Sequence, residues 1–149
     1  MPDAATDAEL SVISLDVPGT FEGVRWALAQ TLQHLGEERY SVEERGTVEL
    51  VLAEVLNNVV EHAYSGRDDG KIALEVRQTE AGLNVRVVDH GRPMPEGGLP
   101  IKPLSQPSDD LLSLPEGGFG WFLVGQLAHD HQYRRVDDCN CLTFRVTVG

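Results

Sequence analysis

The sequence predicts an α+β fold, a two-layer sandwich with a mixed, mostly antiparallel sheet and its helices on one face. Three observations carry this. Short segments of alternating apolar and polar residues outnumber helical ones, and they follow one another across turn signals, as hairpin-paired strands do. The two long stretches of helical periodicity are neighbours in sequence, directly after the first strand. The strand-helix-strand alternation of a doubly wound sheet is missing, as is a G-x-G-x-x-G turn after the first strand.

Residues 9–17 (ELSVISLDV) alternate and read as an edge strand closed by Pro18-Gly19. From Thr20 to about Leu35, the positions Phe21, Val24, Ala27, Leu28, Leu32 and Leu35 fall at helical spacing, and Gly36 is a stop. A second helix starts near Ser41, with Glu44 as its capping-box partner, and runs to about Tyr64 before the turn SGRDDG (65–70). Two strands follow. In KIALEVRQ (71–78), Ile72, Leu74 and Val76 share a face; in LNVRVVD (83–89), Leu83, Val85, Val87 and therefore Asp89 do. Residues 91–120 hold six of the eight prolines and six glycines, so they form neither a strand nor one continuous helix. A helix is expected from about Phe119 through WFLVGQLAHD, and a closing hairpin from HQYRRV, DDCN and CLTFRVTVG, with Leu142, Phe144, Val146 and Val148 inward. The order is β-α-α-β-β-loop-α-β-β in one domain, residues 1–149, without internal repeats.

A hydrophobic content of 41% with 24% charged residues is that of a soluble globular protein. No apolar run approaches the roughly 18–20 residues of a membrane span, and MPDAATDAEL has neither the basic start nor the apolar run of a secretory signal. The formal charge of −12 argues against direct binding to nucleic acid or to an anionic membrane. Proteins and small ligands remain as partners, with any bound phosphates held by backbone amides or a metal. Cys139 and Cys141 are the only cysteines, too few for a disulfide framework or a metal site of their own, and are expected as reduced thiols in a cytoplasmic protein.

Three constellations can carry chemistry. On the second helix, Glu54, Asn57, Asn58 and Glu61 stand at i, i+3, i+4 and i+7, with His62 at the edge and Val48, Leu52, Val55, Leu56, Val59 and Ala63 opposite. An amphipathic helix with a solvated stripe gives that pattern too. Yet asparagine costs a helix interior about 0.6 kcal/mol relative to alanine, and no Lys or Arg occurs between Gly46 and Gly66 to pair with the carboxylates. A carboxylate and a carboxamide one turn apart, without a cation, suit a water or a hydrated Mg²⁺, with Glu54 within reach as a general base. Asp89 is a carboxylate on an apolar face at a strand end, whose partner is a loop amide, Arg92 or a ligand amino group. In PEGGFGWFLVGQL (115–127), glycines 117, 118 and 120 lead into a helix whose free N-terminal amides suit an anion such as triphosphate; the alternative is a flexible linker, and no P-loop lysine is present. Jointly the three match the parts of one nucleotide, with the Pro/Gly-rich segment over it as a lid.

EVLNNVVEHAY, VVDHGRPMP and GGFGWFLV, in that order and spacing, resemble the N-box, G1-box and G2-box of the GHKL ATPase superfamily. Within it they are most similar to the small anti-sigma factor serine/threonine kinases. The resemblance covers nearly the whole chain, including PGTFEGVRWALAQTL and YRRVDDCNCLTFRV. It implies the Bergerat ATP-binding sandwich, with ATP and Mg²⁺ as ligands and a lid at about residues 91–118. Such proteins hold a sigma factor away from RNA polymerase and phosphorylate a serine or threonine of a STAS-domain antagonist. By position, Glu54 is the catalytic base and Asn58 the Mg²⁺ ligand. Asp89 takes the adenine amino group, Gly91 shapes its pocket with Pro93 and Met94, and Gly118, Phe119 and Gly120 meet the phosphates. The sequence departs from the family at Pro93, where glycine is usual, and at Met94; Thr143 matches a site threonine by type, though alternation turns Leu142 inward instead. The alternative function is a module that binds ATP or a partner without catalysis. Family members often dimerise, and the edge strand offers a surface for a homodimer.

Overall fold

Segments of two different periodicities bury their apolar faces against each other, which yields two layers. The structure, a computed structural model, describes residues 11–36, 38–65, 69–94 and 124–147. Along them run β1 (Ser11–Pro18), α1 (Phe21–Leu35), α2 (Val42–Asn58), a π-helical turn (Val59–Ala63), β2 (Lys71–Thr79), β3 (Gly82–Asp89), β4 (Ala128–Val136) and β5 (Cys139–Val146). The strands form one sheet in the order β1-β2-β3-β5-β4, with β1 at an edge as expected. Every pairing among the described strands is antiparallel.

Both helix starts are the ones their side chains encode. Thr20 caps α1 by accepting from the Gly23 N–H at 3.0 Å, and Gly36, at φ +77°, ends it by donating to the Leu32 carbonyl at 3.1 Å. The capping box opens α2: Ser41 N–H donates to Glu44 Oε1 at 2.8 Å and Glu44 N–H to Ser41 Oγ at 3.1 Å. Such a cap is worth about 1 kcal/mol. Val48, Leu52, Val55, Leu56 and Val59 are buried as the spacing predicts, and so are Val51 and Val60. The buried side is broader because α2 packs against α1 as well as joining the cluster under the sheet.

Three boundaries differ from the sequence expectation. The helix expected to reach Tyr64 is α-helical only to Asn58; there it widens into the π turn, closed by Tyr64 N–H donating to the Val59 carbonyl at 3.0 Å. The last carbonyls of that turn are taken by the loop after β3. The helix expected to run through Asp130 gives way to β4 at Ala128, because Ala128 and His129 pair with Val146 and Arg145 of β5. A bulge between His129 and Gln132, with Asp130 at φ +54°, shifts the register of β4 against β5 from there on. The hairpin turn is Asp137-Asp138 alone, at φ 51° and 65°, so Cys139 and Asn140 belong to β5. Residues 9 and 10, the lid from 95 to 118, the expected helix start with Gly118, Phe119 and Gly120, and Val148 lie outside the described residues.

Candidate functional site

Glu54 and Asn58 stand one turn apart on α2, both half-buried. Among the described residues neither side chain has a hydrogen-bond or ion-pair partner, and neither hides a sealed polar atom, so both present open polar groups. Burial, and then the charge of Glu61, push the Glu54 carboxyl above the ordinary carboxylate range. Glu61 and His62 lie beyond the start of the π turn, exposed and 3.6 Å apart.

Asp89 ends β3 at only 4% exposure, in register with Ile72 of β2 and Asn140 of β5. Its Oδ1 accepts from the Gly91 N–H at 2.8 Å and from Asn140 Nδ2 at 2.8 Å. Its Oδ2 accepts from no described residue. Of the partners the sequence left open, the loop amide is therefore present and Arg92 is not. The Arg92 guanidinium instead donates to the His62 carbonyl at 3.0 and 3.3 Å and to Ser65 Oγ, closing the end of the π turn. Burial raises the Asp89 pKa, against the opposing pull of Asn140, the Gly91 N–H, Arg135 and His90.

Gly91 is where loop and helix end touch. A Cβ there would stand 2.4 Å from the Ala63 carbonyl oxygen, and Arg92 N–H donates to that same oxygen at 2.8 Å. The Asp89–Met94 stretch is thus tied to the end of the helix that carries Glu54 and Asn58. Pro93 is exposed and lines a depression of about 340 Å³ with Tyr64, His90, Gly91, Arg92 and Arg135. Met94 packs on the core, and its N–H donates to the Tyr133 hydroxyl at 2.9 Å. A second depression of about 380 Å³, among Glu75, Arg77, Arg86, Thr143 and Arg145 on the face of the sheet opposite the buried core, touches none of these residues. Thr143 sits there opposite Arg86, while Leu142 is buried, as alternation predicts.

Sequence reasoning missed four supporting side chains. Tyr64 donates to the Lys71 carbonyl at 2.5 Å and accepts from the His90 N–H at 3.0 Å, pinning helix end, β2 and loop together. Asn140, Tyr133 and Arg135 come from the terminal hairpin, and Arg135 Nη1 donates to the Gly91 carbonyl at 2.6 Å. One signal was available: stepping back from the inward Leu142 by two residues places Asn140 on the core face.

The sequence pattern of the histidine kinase-like ATPase domain family matches residues 17–146. The chain belongs to that family. This ATPase domain is 32% identical over 113 residues to the serine/threonine-protein kinase BtrW of Bordetella bronchiseptica, covering 75% of the chain and 78% of the relative. It is 30% identical over 123 residues to the serine-protein kinase RsbW of Listeria monocytogenes, covering 79% and 76%. Among solved structures, the histidine kinase domain of a blue-light activated histidine kinase of Erythrobacter litoralis aligns with a TM-score of 0.51 at 21% identity. That match covers 88% of the ATPase domain described here and 61% of the other chain, and at that identity it speaks for the fold. Family membership implies ATP binding. No described helix is long and apolar enough to cross a membrane.

Proposed function

We propose that the protein is an anti-sigma regulatory factor that binds Mg-ATP, phosphorylates a serine or threonine of a STAS-domain antagonist, and sequesters a sigma factor. Glu54 carries the reading. Nucleotide binding alone needs no base, yet a half-buried carboxylate of raised pKa stands one turn before Asn58, on the helix whose end abuts the Asp89–Gly91 loop. The relatives that are serine kinases support the same reaction class.

In the proposed step, the substrate hydroxyl oxygen attacks the γ-phosphorus of ATP and Glu54 takes the hydroxyl proton. The bond to the β,γ-bridging oxygen breaks and ADP leaves. A carboxylate lifted by burial is the better base near neutrality. Asp89 Oδ2 accepts from the adenine amino group, Gly91, Pro93 and Met94 shape the pocket, and Gly118, Phe119 and Gly120 meet the phosphates through backbone amides. Asn58 would hold Mg²⁺ through its amide oxygen, and the ion, when bound, neutralises charge between the phosphates. The donor fits: a hard amide oxygen with no partner among the described residues. The partners are proteins in the cytoplasm, where sigma factors act; β1, one of the two edge strands of the sheet, is the surface for a homodimer, and neither nucleic acid nor membrane is contacted directly.

Two measurements test this. Phosphate transfer to a co-encoded STAS protein should fall on the order of a hundredfold in Glu54→Gln while ATP affinity persists; transfer at the normal rate refutes the base. Calorimetric titration of ATP with and without Mg²⁺ should show metal-dependent binding that Asn58→Ala loses. Metal-independent binding in both proteins removes the metal assignment.

A further inference from the structure

We propose that Asn140 is the positioning residue of the adenine-reading carboxylate: its amide occupies one oxygen of Asp89 and thereby aims the other at the ligand. The inference rests on reading Asp89 as the acceptor for adenine.

Asn140 is 3% exposed, and every hydrogen-bonding site on its side chain is used. Its Nδ2 donates to Asp89 Oδ1 at 2.8 Å and to the Arg92 carbonyl at 2.8 Å, with the Gly91 carbonyl at 3.4 Å. Its Oδ1 accepts from the Tyr133 hydroxyl and from Arg135 Nη1 at 3.0 Å. These partners fix the amide's sense. Flipped, its oxygen would face a carboxylate and carbonyls, and its NH₂ would face two donors.

The bonds form a directed chain. Met94 N–H donates to the Tyr133 hydroxyl, that hydroxyl donates to Asn140, and Asn140 donates to Asp89. Each member polarises the next in the same sense. Arg135 holds the Gly91 carbonyl as well, so the terminal hairpin grips the loop at Gly91, Arg92 and Met94. The consequence is at Oδ2, the carboxylate oxygen without a described donor. Asn140 keeps the carboxylate from rotating and favours its ionised form, in which Oδ2 is an acceptor only. The other groups facing Asp89 are Arg135 from β4 and His90 beside it; β2 offers the apolar Ile72, and Tyr64 at the helix end is engaged with Lys71 and His90.

The test uses the full chain as wild type, Asn140→Asp, Asn140→Ala and Tyr133→Phe. Carbon-13 NMR of the aspartate carboxyls follows Asp89 in the ligand-free protein. Its midpoint should rise by about one pH unit in Asn140→Ala and further in Asn140→Asp, an isosteric change that sets acceptor against acceptor. Calorimetry between pH 5 and 8 then compares ATP with purine riboside triphosphate, which lacks the 6-amino group. Asn140→Ala should lose on the order of tenfold of the preference for ATP, while the affinity for purine riboside triphosphate changes by under about threefold. A general loss of structure would weaken both nucleotides alike. Tyr133→Phe leaves the Asn140–Asp89 contact in place and should shift the midpoint in the same direction by less. If both Asn140 variants fail to fold, that shift decides, and its absence overturns the inference. An unmoved Asp89 midpoint with an unmoved preference in folded Asn140 variants also overturns it. A wild type that does not distinguish the two nucleotides overturns instead the reading of Asp89 as the adenine acceptor.

Discussion

Gly91→Ala is the sharpest perturbation of the loop that joins β3 to the helix end. The added Cβ would stand 2.4 Å from the Ala63 carbonyl oxygen, 2.6 Å from its carbon and 2.7 Å from the Ala63 Cβ. These atoms are backbone or fixed to it, so no rotamer change relieves the clash. Gly91 is not among the residues at positive φ, which leaves the steric argument to stand alone. Regaining van der Waals distance moves the loop by roughly 1 Å. That shift stretches the 2.8 Å bond from Arg92 N–H to Ala63 and disturbs the bonds Gly91 makes to Asp89 and Arg135. Overpacking costs about 1–3 kcal/mol and a lost hydrogen bond about 1 kcal/mol more, so roughly 2–4 kcal/mol in all. For a chain of this size, that is a fall in Tm of about 4–16 °C. Thermal denaturation followed by circular dichroism measures it, and calorimetry below the transition should find ATP affinity down by at least about tenfold, since Asp89 moves with the loop. A variant that melts and binds ATP like the wild type would refute the close approach and its role.

The same substitution at Gly46 should have the opposite sign. No atom lies within 4 Å of a Cβ there, and it sits exposed inside α2, so Gly46→Ala should stabilise by about 0.5–1 kcal/mol in urea titrations. Tyr64→Phe leaves the Lys71 carbonyl and the His90 N–H without their shared partner and should cost about 1–3 kcal/mol, with Tm as the readout. Glu54 has a folded pKa above its unfolded value, so its contribution to stability is fully present below the unfolded pKa and is lost as pH rises through the folded one. Glu54→Gln should therefore gain stability relative to the wild type between pH 4 and pH 7. Equal differences in urea midpoint at the two values would remove the raised pKa.

Much of this protein is legible in its sequence because much of it is local. Thr20, Ser41 and Glu44 announce the helix starts through their own side chains, and the structure has those caps. Alternation puts Asp89 on the core face of β3, and Asp89 is buried there. The spacing of Glu54 and Asn58 places them one turn apart whatever surrounds the helix. What tertiary structure decided involves partners far apart in the chain. The π turn closes where Ala63 meets Gly91, and Ala128 is strand rather than helix because Val146 lies opposite. Asn140 faces the core by its own alternation, but only the register of β3 against β5 brings it to Asp89, 51 residues away. Periodicity tells which way a side chain points, since that depends on its own backbone. What it meets depends on which distant segment pairs there, and that is settled only when the sheet and the core form together.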